Sequence, residues 1–286
     1  MPRQYIFLLV LGYKLLQKYH KMKIITCISD EEDIGYKYAL KASCVYHNLD
    51  LITLLHTSEW NTHRNKDLYL KNYLGTLPKN EIVLFTDGYD TILIEGEEEI
   101  LKRYKLISPE LGIVISTEKY CSPDKSLANL YPLANTQYRF LNSGGIIGRV
   151  ADILELLERV SALNSENENI ISNQYKWSNQ YLWTQVYLKE KSLNIRLDVN
   201  CELFQTIPNS IESGYKYAIV SNIQEREKMI LNSIDTILNE FIMTGGMNIK
   251  NISSNTYPIH LHFCGDLMKP AMFMEPFNQF IGFVNN

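Results

Sequence analysis

Asp87 and Asp90 stand three residues apart at the end of the apolar run Ile82-Val83-Leu84-Phe85. Two carboxylates this close repel each other unless positive charge lies between them. The usual solution is a divalent cation with oxygen ligands, which can also grip a phosphate. The bland alternative is a strand end in a turn, since Asp and Gly both favour turns. A second stretch, Phe140-Leu-Asn-Ser-Gly-Gly-Ile-Ile-Gly148, offers complementary chemistry. Gly144 and Gly145 let backbone approach a ligand closely, and Asn142 supplies both a donor and an acceptor. By itself such a stretch is a tight turn as often as a sugar site.

These groups need elements to hold them. The run before Asp87 suits a central strand covered on both faces, with its carboxyl end opening on the crevice where α/β sheets bind ligands. The hydrophobic pattern predicts strands over 23–29, 50–55, 91–94 and 111–116, and helices over 34–48, 66–74, 151–163 and 179–189. Glu97, Glu98 and Glu99 read as a helix start, because acidic side chains complement the macrodipole there. The Ser/Asn/Glu-rich segment 164–173 reads as a mobile loop. The β-α-β order of the first half predicts a doubly wound, Rossmann-like sheet and an α/β class.

The chain has 286 residues and 45% hydrophobic content, enough for a sizeable core. No repeat or low-complexity linker divides it, so a single domain over 23–286 is expected after an N-terminal extension over 1–22. Net charge is −4 without a polybasic block, which argues against nucleic acid as a partner. The apolar segment within residues 5–16 is too short to span a bilayer. It serves equally as a signal-like h-region, which implies a secretory route, or as a docked helix of a cytoplasmic protein. Asn251-Ile252-Ser253 is a sequon, weak support for the secretory route. The five cysteines are odd in number and lack CxxC spacing, so buried free thiols are expected rather than zinc or a disulfide framework.

The pair Thr86-Asp-Gly-Tyr-Asp90 and Phe140-to-Gly148 closely resembles the glycosyltransferase domain of the procollagen lysyl hydroxylases. In that family a strand ends on Asp-x-Tyr-Asp, and Phe-Leu-Asn-Ser-Gly-Gly-x-Ile-Gly follows at similar distance. Outer matches are Thr26-Cys27-Ile28-Ser29 with Gly35-Tyr36, Ser58-Glu59-Trp60, and Tyr257-Pro-Ile-His-Leu-His-Phe-Cys-Gly265. The resemblance covers residues 23–269 and implies a GT-A fold, a Rossmann-like mixed sheet with helices on both faces. It implies a UDP-sugar donor, Mn²⁺, and retention at the anomeric carbon. The implied acceptor is a collagen-like chain bearing galactosyl-hydroxylysine, with UDP-glucose as donor. Direct transfer from UDP-galactose to hydroxylysine is the variant, since one epimeric hydroxyl separates the donors. A homodimer is compatible with the resemblance. After His262 only 24 residues remain, so the lysyl hydroxylase half is expected on another protein.

The resemblance also distributes roles. Asp87, Asp90 and His262 are implied as metal ligands, His262 being favoured over His260 by the motif. Tyr89 is expected against uracil, Cys27 and Ser29 along the uridine, and Lys66 at the diphosphate or sugar. Asn142, Ser143 and Gly144 are expected on donor-sugar hydroxyls, Gly265 and Lys269 near phosphate, and Asn179 and Gln180 at the reacting sugar. The chain also departs from the family pattern. An acidic run ending Asp-Asp-Gln becomes Trp177-Ser178-Asn179-Gln180, and Cys-Trp-Pro becomes Cys121-Ser122-Pro123. Those losses keep open a UDP-sugar-binding module without transfer activity. A sugar nucleotidyltransferase is disfavoured, because no Gly-rich triphosphate loop follows Ser29.

Overall fold

Apolar strands of alternating facing build the centre of the molecule. The computed structural model describes residues 21–57, 62–166, 173–207 and 211–285. Ser58-Glu59-Trp60, nearly all of the 1–22 extension and most of the 164–173 loop lie outside the described residues. A six-stranded sheet runs in the order β2 (Asp50–Leu55), β1 (Lys23–Ile28), β3 (Ile82–Thr86), β6 (Phe140–Arg149), β5 (Ile113–Glu118), β7 (Ile195–Leu197). Neighbours β2, β1 and β3 are parallel, β6 runs antiparallel to both β3 and β5, and β7 is parallel to β5. Within this sheet β6 alone is reversed and the other five strands point one way, so the Rossmann-like expectation holds for the strands of the first half. The reversed β6 makes the sheet mixed, as the GT-A resemblance implies.

Successive side chains of a strand point to opposite faces, and both faces are covered. Ile24, Ile28 and Leu84 join one core with Cys44 of α1 (Ala42–Tyr46). The same core takes Tyr217 of α6 (Ile211–Ile219), Ile234 of α7 (Ile223–Leu238) and Phe280 of α8 (Asn278–Asn285). It also holds Ile100 and Tyr104 of α3 (Glu97–Ile107), whose first turn carries the three expected glutamates. Ile25, Val83 and Phe85 join the other core, with Leu70 and Leu74 of α2 (Asn65–Leu74). Ile153 and Leu157 of α4 (Val150–Glu166) and Trp183 of α5 (Asn179–Lys189) complete it. Helix α4 runs into the segment expected to be loop. The α1 helix is entered through a wider-wound turn over Tyr36–Lys41.

A second sheet was not legible in the hydrophobic pattern. The strands β4 (Thr91–Leu93), β11 (His260–His262) and β8 (Phe204–Thr206) pair in the order β4-β11-β8. Because β4 begins one residue after Asp90, its antiparallel partner β11 is delivered to the metal-site turn, with His262 opposite Thr91. The Phe263 N–H donates to the Asp90 carbonyl at 2.8 Å and extends that pairing. A further hairpin pairs β9 (Phe241–Met243) with β10 (Ile249–Asn251).

The sequon asparagine ends β10 and is fully buried. Its amide donates to Gln205 Oε1 at 2.7 Å, and its Oδ1 accepts from the Ser253 backbone at 2.9 Å. In the folded protein Asn251 is a core residue. All five cysteines are free, four of them buried, as expected. Among the described residues no helix is long and apolar enough to cross a membrane.

Candidate functional site

The turn after β3 is stapled from several sides. Thr26 Oγ1 donates to the Thr86 carbonyl at 2.8 Å, and Thr91 Oγ1 donates to the Asp87 carbonyl at 2.5 Å. The Asp87 N–H donates to the Gly144 carbonyl at 3.1 Å, tying the turn to β6. Gly35 lets the turn pack, since a Cβ there would lie 1.8 Å from the Tyr89 carbonyl oxygen. Asp87 and Asp90 thus leave the strand end in fixed directions.

His262 reaches them from β11. Its Nε2 lies 3.7 Å from Asp87 Oδ2 and 3.4 Å from Asp90 Oδ1. One ligand atom from each of these three residues can be chosen so that all lie within 4.8 Å of one another. On its far side, His262 Nδ1 is 3.2 Å from Asn142 Oδ1. An Nδ1–H donated to that oxygen leaves the Nε2 lone pair facing the carboxylates, the tautomer a metal needs. Two hard carboxylates and one imidazole suit a divalent ion of the Mn²⁺ type. His260 differs: burial pushes its pKa down to about 3, and its Nε2 pairs with Thr86 Oγ1 at 2.7 Å. Side-chain geometry thus separates two histidines that strand alternation alone leaves equivalent.

Lys66 is buried, and its Nζ donates to Asp87 Oδ1 at 2.5 Å. Burial opposes charge on both partners, yet their attraction outweighs it. The lysine is held above its ordinary range, and Asp87, also facing His262, is held below its own. For His262, too, burial opposes the charge, but the facing Cys264 and Asp90 raise its pKa well above the ordinary value. Lys66 is therefore directed at a carboxylate, where the resemblance expects it on a phosphate or sugar.

A cleft of about 630 Å³ opens over this turn. Cys27, Ser29, Lys66, Tyr89, Asn142, Ser143, Asn179, Gln180, Gly265 and Lys269 all border it, together with the three candidate ligands. Gly144 does not border it, which corrects its expected contact with donor hydroxyls. It backs His262 instead, and a Cβ there would fall 2.1 Å from the imidazole Cε1. Tyr89 is anchored by its hydroxyl, which accepts the N–H groups of Ser29 and Asp30 at 2.7 Å. Lys269 Nζ lies 4.7 Å from the centre of the Tyr89 ring and 2.8 Å from Asp33 Oδ2. Gly265 takes a left-handed φ of 83°, which turns the chain away after β11.

Asn179 and Gln180 open α5, capped by Ser178, whose hydroxyl accepts from the Tyr181 N–H at 3.2 Å. Ser143 is held by both: its N–H donates to Gln180 Oε1 at 3.0 Å and its hydroxyl to Asn179 Oδ1 at 3.2 Å. Asn179 Nδ2 donates in turn to Asp67, a half-buried residue whose carboxyl desolvation raises to about 6. Gln180 Nε2 donates to Glu118 Oε1 at 2.5 Å. Glu118 borders the cleft, and burial raises its pKa to about 7. Sequence reasoning missed it. Its place at the carboxyl end of β5 is the same signal that drew attention to Asp87.

An uncharacterized protein of Acanthamoeba polyphaga mimivirus is 28% identical over 236 residues, covering 76% of this chain and 48% of that protein. The procollagen-lysine,2-oxoglutarate 5-dioxygenase of Drosophila melanogaster is 30% identical over 252 residues, 84% of this chain and 32% of that protein. Human procollagen-lysine,2-oxoglutarate 5-dioxygenase 1 is 24% identical over 275 residues, 91% of this chain and 33% of its own length. The chain thus spans about half the length of the viral relative and about a third of the two dioxygenases. The structure of a glycosyltransferase involved in glycosylation of the major capsid of PBCV-1 superposes with a TM-score of 0.47. It has 14% identity and covers 89% of this chain and 100% of that one. The family model of the PLOD GT domain matches residues 18–266, and the chain belongs to that family of glycosyltransferase domains.

Proposed function

We propose that this protein is a Mn²⁺-dependent retaining glycosyltransferase that moves glucose from UDP-glucose onto galactosyl-hydroxylysine of a collagen-like chain. The observation that carries the reading is the convergence of Asp87, Asp90 and His262 under a cleft sized for a sugar nucleotide. When bound there, the ion supplies Lewis-acid stabilisation of charge on the departing diphosphate. Lys66, paired with Asp87, adds a fixed positive charge in the same place. Tyr89, Cys27 and Ser29 line the end of the cleft nearest β1 and suit the uridine, while Gly265 and Lys269 flank the diphosphate. Asn142 and Ser143 face the donor sugar, and Asn179 and Gln180 fix Ser143. Holding donor and acceptor in one orientation is the main rate contribution available to these residues.

The alternative of a binding module rested on the uncharged Ser178 and Asn179. Ser178 has a capping task, and Asn179 leans on Asp67. Glu118 brings an acidic group to the same wall through Gln180. These features favour an enzyme. The test is to incubate the protein with Mn²⁺, a panel of UDP-sugars and a collagen peptide carrying galactosyl-hydroxylysine, then weigh the peptide. A hexose gain with UDP-glucose that disappears in Asp90→Ala supports the proposal. A gain with UDP-galactose on bare hydroxylysine would replace it, and UDP binding without transfer or hydrolysis would identify the module.

A further inference from the structure

Trp177 is an apolar side chain in an unusual setting. It borders the cleft and stays 47% exposed. Large aromatics left half-exposed at the mouth of a binding cleft retain apolar surface for a ligand to cover. Its backbone is fixed: the carbonyl accepts the Thr62 hydroxyl at 2.9 Å and the His63 N–H at 3.1 Å. One side of the indole meets the His63 ring, with centroids 5.4 Å apart at 51°. Ser178, the next residue, caps α5, so the indole sits at the rigid start of a helix and not on a free loop. Asn179 and Gln180 follow directly and grip Ser143. Trp177 therefore borders the cleft immediately before the residues that grip Ser143, with its ring against His63.

We infer that Trp177 is the platform on which the terminal sugar of the acceptor stacks, an inference that rests on the glycosyl-transfer reading of this cleft. A pyranose presents a face of C–H groups that an indole covers while its hydroxyls remain free to bond. A galactosyl unit has such a face, formed by its C3, C4 and C5 hydrogens. A bare hydroxylysine side chain has no such face and offers the indole only its ammonium and methylenes. The platform thus selects an acceptor that already carries a sugar.

The test uses the full chain with Mn²⁺ and saturating UDP-glucose, and compares wild type, Trp177→Ala and Trp177→Phe. The expected result is a rise of about tenfold in KM for the galactosyl-hydroxylysine peptide in Trp177→Ala, with UDP affinity unchanged and most of the loss recovered in Trp177→Phe. The inference is overturned if acceptor KM is unchanged. It is equally overturned if UDP affinity falls in step with acceptor KM, which would place the indole on the donor or assign it to support of the fold. If wild type binds no UDP and transfers no sugar, the glycosyl-transfer reading itself fails, a result distinct from either.

Discussion

Single carboxyl groups set the tension in this site. Glu118 is buried, and its pKa is raised from the ordinary glutamate value to about 7. The native protein therefore keeps a proton that the unfolded chain loses near pH 4.5. Stability from this group is fully present below that pH and falls as pH rises through 7, by about 3 kcal/mol in the limit. Asp67 and Asp198 are raised to about 6 for the same reason and add to the slope. Glu118→Gln removes the ionisable group while leaving an oxygen to accept from Gln180. It is expected to melt higher than wild type at pH 8 and alike at pH 5 in thermal denaturation. Equal melting at both values would show that another group carries the effect. A protein that tolerates an unfavourable carboxylate beside its candidate metal site fits the general pattern of stability yielded at functional positions.

At the scale of elements, two strands cooperate to place one imidazole. Strand β6 runs antiparallel to β3 with Gly145 opposite Thr86, so Gly144 lies beside the carboxylate turn. Strand β11 brings His262 to the other side, close enough that only glycine fits at 144. Gly144→Ala is expected to push the imidazole off its Asn142 contact. Overpacking costs about 1–3 kcal/mol in melting stability, and mispositioning a ligand weakens metal affinity about 10- to 100-fold. Titration with Mn²⁺ followed by electron paramagnetic resonance measures the second effect. Affinity equal to wild type would mean that His262 is dispensable. The Asn-Ser-Gly-Gly stretch was legible as a ligand-facing turn, but the task of its first glycine was not. That task depends on the distance to a residue 118 positions later, which no local pattern encodes.

For the whole molecule, the candidate ligands come from two different sheets, so a bound ion cross-links β3 and its turn to β11. A ligand that binds only the folded state stabilises by mass action, about 2.7 kcal/mol at a hundredfold excess over Kd. Mn²⁺ is therefore expected to raise the melting temperature by several degrees, and chelation to reverse it. Asp90→Ala should abolish the shift while leaving the fold intact, since Asp90 joins the second sheet through its backbone carbonyl. A shift retained in Asp90→Ala would locate the ion elsewhere.

Local patterns alone determined most of the elements. The apolar runs of β1, β2 and β3 and the amphipathic face of α4 obey periods set by backbone geometry, so they read directly from residue order. The acidic turn and the Asn-Ser-Gly-Gly stretch were equally legible, because their chemistry lies within a few neighbouring residues. Tertiary structure alone decided the reversal of β6 and the separate sheet of β4, β11 and β8. It also moved Lys66 onto Asp87, turned the Asn251 sequon inward and revealed Glu118 as a cleft carboxyl. Each of these depends on which distant strands pair and which side chains share one dielectric. Such pairings follow from burying the whole set of apolar faces at once, and no window along the chain contains that information.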